Sequence, residues 1–157
     1  MGVDHAGVYI GQPTSFFAGC ALNLVPAKAE TEMKNLNRKI QAGADFILTQ
    51  PVYHPEQAEI FIRGYEEQYG PLETPVLVGV LPLFSSRHVA FLHNEVPGIN
   101  IPAIIQERMR QAGDAAPKEG VKIALELIEQ FPWAHGIYLM PQFGRYDLAA
   151  EIVEGAH

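Results

Sequence analysis

Cysteine is almost missing from this chain. Cys20 is the only one among 157 residues, so no internal disulfide can form and a multi-thiolate zinc site is excluded. Apolar runs long enough to span a bilayer are missing too, as is a basic-then-apolar leader; together these absences predict a cytoplasmic protein. Basic residues are scarce, with 11 Lys and Arg against 18 Asp and Glu, for a formal net charge of −7. That balance argues against nucleic acid as a partner, and a local basic patch would have to hold any anionic ligand against the global charge. The six histidines, His5, His54, His88, His93, His135 and His157, show no HxH, HxxxH or HExxH spacing, so no metal site is expected. A G-x-S-x-G nucleophile elbow, a G-x-G-x-x-G turn and a G-x-x-x-x-G-K phosphate loop are likewise missing.

What is present is an ordinary globular composition, 48% apolar and 18% charged, enough for a single domain spanning residues 1–157 with a sizeable core. The opening stretch "MGVDHAGVYIGQPTS" has turn residues and no helical period, and reads as a loop. Four largely apolar runs then predict strands: Ser15 to Asn23, Asp45 to Gln50, Pro75 to Leu83 and Ala134 to Pro141. Helical periodicity fills the gaps. It runs from Ala29 to Gln41, from Pro55 as a first helical residue, and from a Ser85 or Ser86 cap through Leu92. Three more helices are expected at about Ala103 to Gln111, Lys118 to Gln130 and Tyr146 to Val153.

Nearly unbroken apolar strands alternating with helices mark an α/β fold of parallel βα repeats. About four strands suit either a small open sheet or half of a (β/α)8 TIM-type barrel, which needs eight strands and about 250 residues. In both, ligands gather where strands end. Those ends are Asn23, Gln50, Leu83 to Ser86, and Met140 to Gln142.

Several residues near these ends could carry chemistry. On the first helix, Glu32, Asn35, Arg38 and Lys39 share a face away from the apolar stripe of Met33, Leu36 and Ile40. The face is either simply solvated or a phosphate clamp, in which arginine offers a fork and lysine a point charge. Gln50 is either a solvated strand end or an amide that donates to one ring atom of a heterocycle and accepts from another. Pro51 favours extended backbone at Gln50. His88 lines the mouth of the third strand or sits on a capped surface helix. Cys20, inside an apolar strand, reads as a small buried hydrophobe. "YLMPQFGRYD" places Tyr138 and Met140 on one side of the fourth strand, as core or as a stacking wall, with Arg145 close enough for an acidic substrate tail.

Three segments, "NLNRKIQAGADFILTQPVY" (Asn35 to Tyr53), "NEVPGINIP" (Asn94 to Pro102) and "HGIYLMPQFGRYD" (His135 to Asp147), resemble methylenetetrahydrofolate reductase. The likeness is greatest to the bacterial form fused behind a homocysteine methyltransferase domain, and runs from about Ile10 to Ile152. It implies the C-terminal half of an eight-stranded α/β barrel that carries FAD and reduces methylenetetrahydrofolate to methyltetrahydrofolate with NAD(P)H. It places Ala21 and Asn23 along the flavin. Glu32, Asn35, Arg38 and Lys39 fall on its ribityl, phosphate and adenosine portion. It matches Gln50 to the glutamine that bonds the pterin ring, and puts His88, Tyr138 and Arg145 in regions lining the folate or nicotinamide side. The family's protonating glutamate and flavin-side aspartate belong to the first half of its barrel, and no segment here matches them. His54 stands where an aspartate is the usual helix cap. The resemblance thus implies a fragment without turnover, opening in the loop before the last four βα units. Two open sheet edges predict either a missing N-terminal barrel half or self-association. The rival reading is a non-catalytic open α/β module that binds a heterocycle at its strand ends.

Overall fold

Four strands lie side by side in the order in which the chain makes them: β3 (Gly19–Leu22), β4 (Phe46–Pro51), β5 (Val76–Val80) and β6 (Gly136–Leu139). All three pairings are parallel. The computed structural model describes residues 2–4 and 6–156, so the expectations for His5 and His157 lie outside the described residues. Helices return the chain after each strand: α1 (Ala29–Gln41) after β3, α2 (Pro55–Tyr69) after β4, and α6 (Tyr146–Gly155) after β6. Between β5 and β6 the return is longer. It consists of α3 (Ser86–Glu95), α4 (Ala103–Gln111), a short 3-10 turn at Gly113–Ala115, and α5 (Ala116–Ile128).

The inward-facing residues of the strands meet the helices. Leu22, Ile47, Val76 and Val78 are buried and join Met33, Leu36, Ala58, Phe61, Tyr65, Val89 and Leu92 in one core. Val80 packs with Val121, Ala124, Leu148 and Ile152 in a second cluster beneath α5 and α6. Burying each such side chain contributes about 1.5–3 kcal/mol. The alternate positions, which share the other face by register, are Ala21, Leu48, Leu77 and Gly136. Ala21 is exposed and the other three are half-buried, so this face is left open. Parallel strands paired in chain order, with one open apolar face, are the geometry of a barrel segment rather than of a doubly wound sheet.

Two expectations need correction. The opening stretch is not a loop: β1 (Gly2–Val3) and β2 (Tyr9–Gly11) pair antiparallel as a small ribbon. The first sheet strand does not begin at Ser15. Phe16 and Phe17 are 82% and 76% exposed, and Phe17 instead stacks on Phe46 of β4 with ring centroids 5.1 Å apart. Among the described residues, no helix is long and apolar enough to cross a membrane.

Candidate functional site

The strand exits carry three groups of side chains. At the end of β3, Lys39 Nζ donates to the Ala21 carbonyl at 2.6 Å and lies 3.8 Å from Glu32. Glu32 Oε1 accepts from the Asn23 backbone N–H at 3.3 Å, and Asn23 Oδ1 closes a turn by accepting from the Val25 N–H at 2.9 Å. Ala21, Asn23, Glu32 and Lys39 therefore form one connected cluster. Asn35 and Arg38 stand outside it: Arg38 Nη2 donates to Asn35 Oδ1 at 3.4 Å, on the exposed side of α1. Cys20 lies beside this cluster, half-buried rather than buried. Burial pushes its thiol up, and the neighbouring Lys39 charge opposes that.

At the end of β4, Gln50 is exposed, and among the described residues its side-chain amide has no hydrogen-bond partner. Its Oε1 faces Gly98, in the loop between α3 and α4. That loop is pinned twice: His54 Nε2 donates to Asn100 Oδ1 at 3.0 Å, and His93 Nδ1 accepts from the Ile101 N–H at 3.1 Å. His54 thus occupies the first position before α2 without capping it, and its ring serves the loop instead.

The exits of β5 and β6 converge on an aromatic cavity of about 410 Å³, lined by Phe84, Ser85, Arg87, His88, Phe91 and Phe143. Ser85 caps α3 by accepting from the His88 N–H, so His88 is both in a capped helix and at the strand mouth. Its imidazole is 4% exposed, stacks on Phe84 at 4.0 Å and donates from Nε2 to Gln142 Oε1 at 3.0 Å. That bond places the proton on Nε2 and, among the described residues, leaves the buried Nδ1 without a partner. Burial holds the ring's pKa below the ordinary histidine value, partly offset by the Gln142 bond. Phe143 reaches the cavity from a left-handed backbone, φ 54°, in the turn after β6. Arg145 lies over the Phe84 ring and pairs with Asp147 at 2.7 Å. Its charge is therefore already partnered.

Tyr138 behaves differently from a stacking wall. Its hydroxyl donates to the Thr49 carbonyl on β4, two strands away, and burial pushes its pKa up. Thr49, Gly98, Gln142 and Phe143 lie inside the segments that carry the family resemblance and Phe84 inside a predicted strand end, yet nothing in the sequence marks any of them individually as a site residue, although Phe143-Gly144 could have been read as a turn. The structure brings Gln50 near the Gly98 loop and groups His88 with Arg145 through Phe84. It gives Arg38 no contact with either group.

The family model described as methylenetetrahydrofolate reductase matches residues 21–148 of this chain. The chain belongs to the methylenetetrahydrofolate reductase family. No curated protein matches. Among solved structures, an uncharacterized protein from Clostridium thermocellum that binds two copies of 5-methyl-5,6,7,8-tetrahydrofolic acid is similar in fold, with a TM-score of 0.68 at 17% identity. The alignment covers 88% of this chain and 51% of that one, so the chain spans about half the length of that structure. As a member of the methylenetetrahydrofolate reductase family, the chain carries its α/β sheet in βα units that fit a barrel-type fold.

Proposed function

We propose that this chain is the folate-binding, C-terminal half of a flavin-dependent reductase barrel that converts 5,10-methylenetetrahydrofolate to 5-methyltetrahydrofolate at the expense of NAD(P)H. The observation that carries the reading is Gln50. A free primary amide at the exit of β4, beside a pinned loop, offers one donor and one acceptor edge to a fused heterocycle. The folate bound by the Clostridium thermocellum neighbour supports that ligand class.

The residues of α1 fit an anionic cofactor. Among the described residues Arg38 is bonded only to a neutral asparagine, so its guanidinium is available for a phosphate, and Lys39 adds a second cation although Glu32 and Ala21 already engage it. Arg38, Lys39, Asn35 and Glu32 would hold the phosphate and sugar portion of FAD, with Ala21 and Asn23 along its ring. When bound, the flavin supplies the hydride transfer between nicotinamide and folate. The chain's own part is to bind and orient. Gln50 fixes the pterin, and the aromatic cavity of Phe84, His88 and Phe143 excludes water from the opposite side of the mouth. His88 and Arg145 line the folate or nicotinamide side, His88 as a neutral group.

Separate titrations with 5-methyltetrahydrofolate and FAD test the proposal. Gln50→Ala is expected to weaken folate about tenfold or more, the loss of one or two hydrogen bonds, and to leave FAD unchanged. Arg38→Ala should do the reverse. Folate binding without flavin binding would make the chain a non-catalytic folate module, and a Gln50→Ala variant that binds folate normally would remove the basis of the reading altogether. The isolated chain is expected to show no reductase turnover with both ligands and NADH or NADPH supplied.

A further inference from the structure

The backbone that carries Gln50 is irregular, and the irregularity is tightly held. Along β4 and β5 the register passes from Leu48↔Leu77 to Pro51↔Gly79, so three steps on one strand oppose two on the other. This is a bulge of one extra residue, a device that redirects side chains at the rims of sheets. It falls on Thr49 and Gln50 and takes both out of the regular ladder with β5, while Thr49 keeps its pairing with Leu22 of β3.

Thr49 repairs the break with its own side chain. Its Oγ1 accepts from the Gly79 N–H at 2.9 Å and donates to the Gln50 carbonyl at 2.8 Å. Thr49 is 1% exposed, so without that hydroxyl the Gly79 N–H would be buried and unpaired. The Thr49 carbonyl is satisfied from β6, where the Tyr138 hydroxyl donates to it across the intervening strand. Gly79 makes the crossing possible. A Cβ at position 79 would stand 2.9 Å from the Thr49 carbonyl oxygen and 3.0 Å from the Tyr138 hydroxyl. On the far side of the amide, Gly98 has φ 84°, and a Cβ there would stand 2.6 Å from Gln50 Oε1.

A bulge could serve the sheet alone. Against that stands the placement of its side-chain fastenings: the Thr49 and Tyr138 hydroxyls act on Thr49 or on the Gln50 carbonyl, the atoms that set the direction in which the Gln50 side chain leaves the strand. We infer that Thr49 and Tyr138 are positioning residues, clamping the bulge so that the Gln50 amide is presented to the heterocycle in one orientation. The inference rests on the folate reading of Gln50. It assigns Tyr138 a task inside the protein in place of contact with the ligand.

The test is a double-mutant cycle on the full chain, read as 5-methyltetrahydrofolate affinity. Tyr138→Phe is expected to weaken binding about fivefold to tenfold in the unaltered background, and to cause no further loss once Gln50→Ala is present. FAD affinity should not move. An equal loss from Tyr138→Phe in both backgrounds, or none in either, overturns the clamp while leaving Gln50 as a folate ligand. Absence of folate binding by the unaltered chain overturns the folate reading and the clamp together. If Tyr138→Phe does not fold, Thr49 answers the same question: Thr49→Ser should keep folate affinity and Thr49→Val should lose it. Equal affinity in those two variants overturns the inference.

Discussion

Position 79 leaves no room for a side chain, because Met140, the Thr49 carbonyl and the Tyr138 hydroxyl already fill the space above it. Gly79→Ala should therefore cost about 1–3 kcal/mol through displaced neighbours, seen as a lower urea midpoint with an unchanged slope. His88 makes a different prediction, about pH. Its folded pKa is lowered by burial, so as pH falls below the ordinary histidine value of about 6.5 the unfolded chain takes up the proton first. Stability from this residue is complete above that value and is lost as pH falls through the lowered folded value. Urea midpoints at neutral and mildly acidic pH should fall more for the unaltered protein than for His88→Phe. An identical fall in both would show that His88 does not carry the effect.

The elements that frame the cavity are fixed by a few joints. Ser85 caps α3 with its side chain, and Ser85→Ala should cost about 1 kcal/mol. The helix α5 runs so close beneath the exit of β5 that a Cβ at Gly120 would collide with the Leu83 carbonyl oxygen. Backbone cannot step aside as a flexible side chain can, so Gly120→Ala is expected to lower thermal stability by several degrees. Such elements differ in how plainly the chain announces them. Met33, Leu36 and Ile40 give α1 a helical stripe, and its bounds, Ala29–Gln41, are those the periodicity predicts. The ribbon of β1 and β2 has strands too short to show a period of two. Phe16 and Phe17 read as strand because apolarity was the signal, yet they are exposed beside the sheet. Gln50 could be singled out as an amide at a strand end. The clamp behind it could not, because Tyr138 lies 89 residues from Thr49 and only the packed sheet brings them together.

The molecule as a whole is a sheet with helices on one side and an open apolar face on the other. That open face, beside which Phe16 and Phe17 are exposed, carries the proposal that further βα units or a second copy cover it. For the chain alone, the expectation is self-association: light scattering at high concentration should give twice the 17.3 kDa of one chain. Phe17→Asp should shift it toward one. A single-chain mass for the unaltered protein at every concentration would count against the idea. The order of the strands has a further consequence. After β3, each strand of the four-stranded sheet pairs with the one made just before it, so a ribosome releases the pieces in assembly order. Each βα unit can then settle on an edge that already exists, and none has to wait for a distant partner to be translated.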